Sequence, residues 1–149
     1  MGIGSNILSR TRTQSLRDWT VTLNGVIYSG FADGEAFRLE PMEAEQFATV
    51  VGADGVPERF RKANDMWTLT LRLQETNPLN STLSAFHEAD KAGTGPGACA
   101  VRHNAGTSSF AAASAWVVGY PAVSVGTDAS PREWAVAGKF VAHVGGSTR

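Results

Sequence analysis

The stretch WTLTLRLQETNPLNSTLSAFHEADK, residues Trp67 to Lys91, places a strand almost directly before a helix. Apolar and polar residues alternate over its first third, with the period of two typical of a strand that buries one face. The face expected in the core carries Trp67, Leu69, Leu71 and Leu73. The opposite face, expected to meet water or a partner, carries Thr68, Thr70, Arg72 and Gln74.

The second half of the stretch predicts a helix that begins near Asn77-Pro78. An Asn side chain can accept from a free helix amide, and proline has no amide that would need a partner. Gly93 lies where a glycine commonly ends a helix. The apolar positions between these ends lie on one face of a helix of about three to four turns, namely Leu79, Leu83 and Phe86.

The segment from Asp18 to Phe31 predicts a β-hairpin. Trp19, Val21 and Leu23 alternate with threonines, and Asn24-Gly25 is the dipeptide best suited to the positive φ angles of a type I′ turn. Further strands are predicted at Ala36–Glu40, Gln46–Val51, Ala98–His103, Phe110–Tyr120, Val123–Val125 and Arg132–Val144.

Together these elements predict a mainly β chain, an antiparallel β-sandwich or barrel-like domain with one packed α-helix. We expect a single domain over residues 1–149, with a polar N-terminal stretch over about residues 1–17 and a short flexible C-terminal tail. The segment from Gln46 to Lys62 predicts a second hairpin or a long loop. Because it carries few large apolar residues for its length, we expect much of it to stand away from the core.

The charge balance argues against nucleic-acid binding as the main task. Lys and Arg total 13 and Asp and Glu total 14, a formal net charge of −1, so no basic field gathers phosphates. The N-terminus lacks the apolar region of a secretory signal, and no window is long and apolar enough to span a bilayer. We therefore expect a soluble protein without a membrane anchor that is not exported by the general secretory route.

Catalytic and cofactor motifs are absent from the sequence. The elbow G-x-S-x-G does not occur, and no catalytic triad can be assigned, so we do not expect an enzyme. Glu40, Glu43 and Glu45 are not accompanied by a catalytic basic partner or a pocket-like context and are interpreted as a solvated acidic patch. The glycines of GTGPG (Gly93–Gly97) follow a helix and open a strand, the reverse of a phosphate-binding loop. We expect no cofactor.

The single cysteine, Cys99, excludes an intrachain disulfide. Cys99 and His103 lie too far apart along an extended strand to share one zinc ion. We interpret them as a buried thiol and a surface imidazole. His87 and His143 have no ligand spacing, so no metal site is expected.

Several motifs, in order along the chain, resemble those of bacteriophage tail tube proteins of the contractile-tail group. They are VGADG at Val51–Gly55, WTLTLRLQETNP at Trp67–Pro78, the helix start at Asn80–Phe86, and GTDASPREW at Gly126–Trp134. The similarity runs from about Asp18 to Phe140.

The resemblance implies a structural virion protein that self-assembles into stacked hexameric rings, forming the inner tube through which DNA is ejected. It implies the tail sheath protein outside the tube, the tape-measure protein and transiting DNA inside, and baseplate and tail terminator proteins at its ends. The protein would be made in the host cytoplasm and reside in the virion tail. The implied subunit interface is the extended loop formed by Val51, Gly52, Ala53, Asp54 and Gly55.

Two alternatives remain open at this point. One is the tube protein of a type VI secretion system or another contractile injection system, which shares the fold outside a phage. The other is a monomeric β-barrel that binds a small ligand in its interior.

Overall fold

Ten strands and one helix form the part of the chain that the structure, a computed structural model, describes: residues 18–32, 34–104, 106–128 and 130–145. The first five strands are β1 (Trp19–Leu23), β2 (Val26–Tyr28), β3 (Phe37–Pro41), β4 (Phe47–Val51) and β5 (Pro57–Arg61). The remaining elements are β6 (Met66–Leu73), α1 (Leu79–Lys91), β7 (Gly97–His103), β8 (Ser109–Gly119), β9 (Arg132–Lys139) and β10 (Val141–His143). The predicted mainly β fold with one packed helix is confirmed.

An eight-stranded antiparallel sheet contains every strand except β4 and β5. Its order is β2-β1-β7-β8-β9-β6-β3, and β10 pairs with β8 beyond the end of β9. After β2 the chain crosses to the far side of the sheet, where Phe31 forms a bridge to Leu73 and the Ala32 amide donates to the Arg72 carbonyl at 2.8 Å. The sheet therefore bends round on itself into a barrel-like shape.

The inward side chains of this sheet fill its interior. On β6 the predicted inward leucines, Leu69, Leu71 and Leu73, are fully buried, and on β9 Trp134 and Val136 are buried beside them. Trp67 packs against this core and lies 5.6 Å from the Phe110 ring, centroid to centroid. The alternation in the opening stretch thus identified the strand at the centre of the core.

The predicted hairpin turn, helix start and helix end are all present in the structure. Asn24 and Gly25 have φ angles of 52° and 82°, as a type I′ turn requires. At the start of α1, the Asn77 Oδ1 atom accepts from the Leu79 amide at 3.0 Å. Gly93 follows the helix with a φ of 108°, and its amide donates to the Asp90 carbonyl at 3.0 Å.

The strand directions give the subunit two different ends. β6 begins at Met66, where the chain returns from β4 and β5, and it ends at Leu73, from which the chain leads into α1. We call the first the hairpin end, after the hairpin formed by β4 and β5, and the second the helix end. At the hairpin end, the Asn104 amide donates to the Asp18 carbonyl, and the Ser108 hydroxyl lies 3.0 Å from the Gly145 carbonyl oxygen.

Three predictions differ from the structure. The strand predicted over Arg132–Val144 is interrupted at Phe140 and forms two strands, β9 and β10. Val123–Val125 is not a strand: it belongs to the β8–β9 connection, its valines are exposed, and none of the described strands pairs with it. His103 is not a surface imidazole but is buried, with its ring 4.7 Å from that of Trp19. The predicted N-terminal stretch over about residues 1–17 lies outside the described residues, as do residues 146–149 of the predicted tail.

Candidate assembly interface

β4 and β5 form a two-stranded sheet of their own, which we call the arm together with its turn (residues 47–61). Their register runs from Phe47 opposite Arg61 to Val51 opposite Pro57. The hairpin alternative predicted for Gln46–Lys62 is therefore the one observed. Almost every arm residue is exposed, including large apolar side chains that a stable monomer would normally bury.

The two faces of the arm differ in chemistry. Residues directly opposite one another in an antiparallel pair lie on the same face. One face carries Phe47 with two arginines, and the Arg59 guanidinium lies 4.7 Å from the centre of the Phe47 ring. The other face carries Val50 opposite Glu58, followed by Phe60. Phe60 is 53% exposed and Val50 is 52% exposed, so this second face is apolar and acidic.

The turn at the tip of the arm contains most of the predicted interface residues. The Gly52 amide donates to the Val56 carbonyl at 3.1 Å, and the Gly55 amide donates to the Gly52 carbonyl at 2.9 Å. The Asp54 carboxylate accepts from the Val56 amide at 3.2 Å. Gly55 has a φ of 82°, a conformation that side-chain-bearing residues rarely adopt. The turn is thus specified by its sequence, although all of its side chains face solvent.

Hydrogen bonds and ion pairs attach the arm to the barrel at its base. The Lys62 amide donates to the Gln46 carbonyl at 2.8 Å, and the Lys62 ammonium lies 2.9 Å from Glu43. Arg61 pairs with Asp65 at 3.4 Å. Glu43 is therefore an anchor for the arm. These contacts hold the base of the arm, while its tip projects beyond them.

A groove of about 560 Å³ lies between the arm base and the outer surface of β8 and β10. On the barrel side its walls are mostly small or apolar, including Ala111, Ala113 and Val141, with Lys139 beside them. Pro41, Trp67, Phe140 and Ala142 of the barrel also line it, and the arm base contributes Ala44, Gln46, Arg61 and Asp65. Val141 is 80% exposed, and of the strands that the structure describes β10 pairs with β8 alone.

A second cleft, of about 440 Å³, lies at the helix end between α1 and the β8–β9 connection. Arg132 crosses it to Glu75 at 3.3 Å, and the Trp134 indole N–H donates to Asn80 at 2.9 Å. At its rim the Tyr120 hydroxyl donates to the Glu88 carboxylate. This hydrogen bond, followed by that from Lys91, lowers the pKa of Glu88, and it raises the pKa of Tyr120. Most polar groups of the cleft are thus already engaged with one another.

The interior of the barrel offers no nucleophile in a reactive state among the described residues. Burial raises the pKa of the Cys99 thiol to about 12 and that of the Tyr28 hydroxyl to about 12. A thiol with so high a pKa is protonated, and therefore inert, at neutral pH. Within the described ranges no group of three or more His, Cys, Asp or Glu side chains is placed to hold a metal ion.

Comparison with known proteins gives a likeness of fold. No protein-family model and no curated protein sequence matches the chain. Among solved structures, the chain is similar to one in the cryo-EM structure of the sheath/tube terminator of an extracellular contractile injection system, PVC, in its extended state. The TM-score is 0.61 at 10% sequence identity, and the match covers 91% of this chain and 99% of the other. The two chains therefore share a fold over nearly their whole lengths.

The predicted interface residues lie at the tip of the arm, whereas the groove was not predicted. Val51, Gly52, Ala53, Asp54 and Gly55 do lie together, at the end of β4 and in the turn that follows. The groove joins segments far apart in the chain, so no local pattern indicates it. His103 was detectable, since Cys99, Val101 and His103 alternate along β7 and all three are buried.

Proposed function

We propose that this chain is a structural, non-enzymatic subunit of a contractile tail, which assembles with copies of itself into the stacked hexameric rings of an inner tube. The observation that carries the proposal is the arm. Its exposed apolar side chains include Phe47, Val50, Val51, Val56 and Phe60. Exposed apolar patches on a soluble protein commonly mark the surfaces where it binds other proteins.

The arm also has the form expected of an assembly element. It projects from a filled barrel, is fixed at its base by Lys62 and Glu43, and contributes no residue to the buried core. A folded domain can therefore use it as a contact without rearranging its interior. A repeated head-to-tail contact of this kind closes into a ring when its rotation closes.

The fold likeness supports the contractile-tail setting, since the similar chain comes from the sheath/tube terminator of a contractile injection system. The formal net charge of −1 suits a conduit, because a basic lumen would retain DNA.

In this proposal the sheath protein surrounds the tube, and the tape-measure protein and ejected DNA occupy its lumen. Baseplate and terminator proteins close its ends, and the protein resides in the virion. No helix of the described residues is long and apolar enough to cross a membrane.

A tail terminator is the second candidate, favoured by the description of the similar structure. A terminator forms one ring at the end of a tube, whereas a tube subunit forms many rings. The two candidates therefore differ in whether rings made of this chain stack on one another. An injection-system tube protein would stack like a phage tube protein, and neighbouring capsid and tail-fibre genes would indicate a phage.

Electron microscopy of the purified protein over a range of concentrations tests the proposal. We expect rings that stack into hollow tubes, and light scattering should give ring masses that are multiples of six subunits. Single rings that never stack would favour the terminator. A protein that stays monomeric at high concentration, even with tail initiator proteins present, and that is missing from purified tails would overturn both candidates.

A ligand-binding barrel would behave differently in the same preparations. Its melting temperature would rise with an apolar ligand while it remained a monomer. The barrel interior is occupied by buried side chains, among them Leu23, Leu69, Leu71, Val101 and Val136. We therefore expect no such rise.

A further inference from the structure

We infer that the groove between the arm base and β10 receives the arm of a second copy of this chain, with Glu58 of the entering arm placed near Lys139. This inference rests on the proposed self-assembly and names the surfaces that would make it. It concerns a contact between two copies, one of which donates its arm while the other provides the groove.

The groove is suited to a flat, two-stranded occupant. Ala111 and Ala113 project little from the outer face of β8, and Val141 of β10 lies directly opposite Ala111. Sheets that pack face to face lie about 10 Å apart, and small side chains allow such an approach. Among the described strands β10 pairs only with β8, so its other edge also offers backbone groups to a strand.

The entering arm supplies an apolar face that complements this floor. Val50 and Phe60 lie on the same side of the arm, and both are more than half exposed, at 52% and 53%. Packing them over the alanines would remove apolar surface from water on both copies. An apolar face of this kind and a groove with a small-residue floor therefore occur on the same chain.

The charges of the two surfaces are also complementary. Glu58 lies on the Val50–Phe60 face, whereas the arm's arginines, Arg59 and Arg61, lie on the opposite face. Lys139, which is exposed, lines the groove next to its apolar floor. Glu58 is a better partner than Asp54, because the Asp54 carboxylate already accepts from the Val56 amide in its own turn.

The arm of the same copy cannot fill this groove. Its base forms one wall of the groove, through Gln46 and Arg61. From there β4 runs away for five residues, which carries the tip roughly 15 Å outward. The register is continuous from Phe47 to Val51, with no interruption at which the arm could fold back. The occupant must therefore come from another molecule.

Charge reversal at the two positions tests the inference in the full chain. Glu58→Lys or Lys139→Glu alone should raise the protein concentration needed for half-maximal assembly by about threefold to tenfold, because a like-charged pair replaces an attractive one at each contact. The double variant should return to the wild-type value. An equimolar mixture of the two single variants should also assemble, since each arm then meets a groove of opposite charge in an alternating ring. These effects should shrink in about 1 M salt.

Asp128→Lys is the matched control for Glu58→Lys, because it makes the same charge change on an exposed residue of the β8–β9 connection. It should leave assembly unchanged. Single variants that assemble like the wild type, or a mixture that shows no rescue, would overturn the inference and leave the proposed function standing. Reciprocal rescue in small oligomers that never form rings would support the contact and overturn the tube. A wild-type protein that stays monomeric would overturn both. Single variants that assemble normally but lose binding to the sheath protein would show that a different partner fills the groove.

Discussion

Replacing Gly55 by valine should separate assembly from folding, and Gly25 provides a matched control. Both glycines lie in hairpin turns with a φ of 82°, and a Cβ atom added at either one meets nothing within 4 Å. The two substitutions therefore impose the same backbone strain and no clash in the isolated chain. They differ in what the strained turn is attached to. Gly25 joins β1 and β2 of the barrel, whereas Gly55 lies at the tip of the arm.

The size of the strain follows from the left-handed backbone conformation. In this conformation a residue with a Cβ atom destabilises the fold by about 1–2 kcal/mol, and the value for β-branched valine is towards the upper end of that range. At Gly25 this cost falls on the barrel, because neighbouring Leu23 is fully buried. For a chain of this size a loss of 1 kcal/mol lowers the melting temperature by about 2–4 °C, so Gly25→Val should lower it by about 2–8 °C. At Gly55 the tip can open locally without disturbing the core, and the shift should stay below about 2 °C.

Differential scanning calorimetry and electron microscopy, applied to the same preparations, measure the two effects. Gly55→Val should melt like the wild type and fail to form rings, while Gly25→Val should melt earlier and still form them below its melting temperature. If Gly55→Val forms normal tubes, the assignment of the arm tip as an interface is wrong. If it melts as early as Gly25→Val, the arm is part of the folded core.

Three further predictions concern the core, its pH dependence and the arm face. Leu83→Ala should lower the free energy of unfolding by about 2–5 kcal/mol in urea titrations, because Leu83 is the fully buried residue on the inner face of α1. Ser81→Ala, on the exposed side of the same helix, should change the free energy of unfolding by less than about 0.5 kcal/mol. Burial raises the pKa of Cys99 from 9.0 to about 12, so the folded state favours the protonated thiol. The stability that this preference contributes is complete below pH 9 and should be lost as the pH rises towards 12. Cys99→Ala should make the fall in stability over this pH range shallower. Phe60→Ser should weaken assembly in sedimentation assays without lowering the melting temperature. Val118→Ser, at an exposed valine outside the arm, is the control, and an equal loss of assembly there would contradict the assignment of the arm as the interface.

The sequence predicted those parts of the fold whose signals are local. The alternation from Trp67 to Leu73 identified β6, because a strand with one buried face needs that period whatever its neighbours are. Asn24-Gly25 specified its turn through the backbone angles that only a few residues adopt easily. For the arm, turn residues between two extended segments predicted either a hairpin or a long loop, and the structure shows the hairpin.

The parts that sequence could not predict depend on which strands become neighbours. Val123 and Val125 alternate like a strand, but a strand also needs a partner, and none of the described strands pairs with this connection. The closing of the sheet through Phe31 and Leu73 depends on residues 42 positions apart, whose pairing leaves no local pattern. The groove depends in the same way on the approach of β10 to the arm base, so the receiving half of the candidate interface becomes visible only in the fold.

The two ends of the barrel have a practical consequence for handling the protein. The described chain begins at Asp18 and ends at Gly145, and both residues lie at the hairpin end, where the arm and groove are also found. A fluorescent protein fused directly after Gly145 would therefore crowd the proposed assembly surfaces and give an apparent monomer. The exposed residues around Val125, at the helix end, offer an insertion point for a short epitope that leaves those surfaces free.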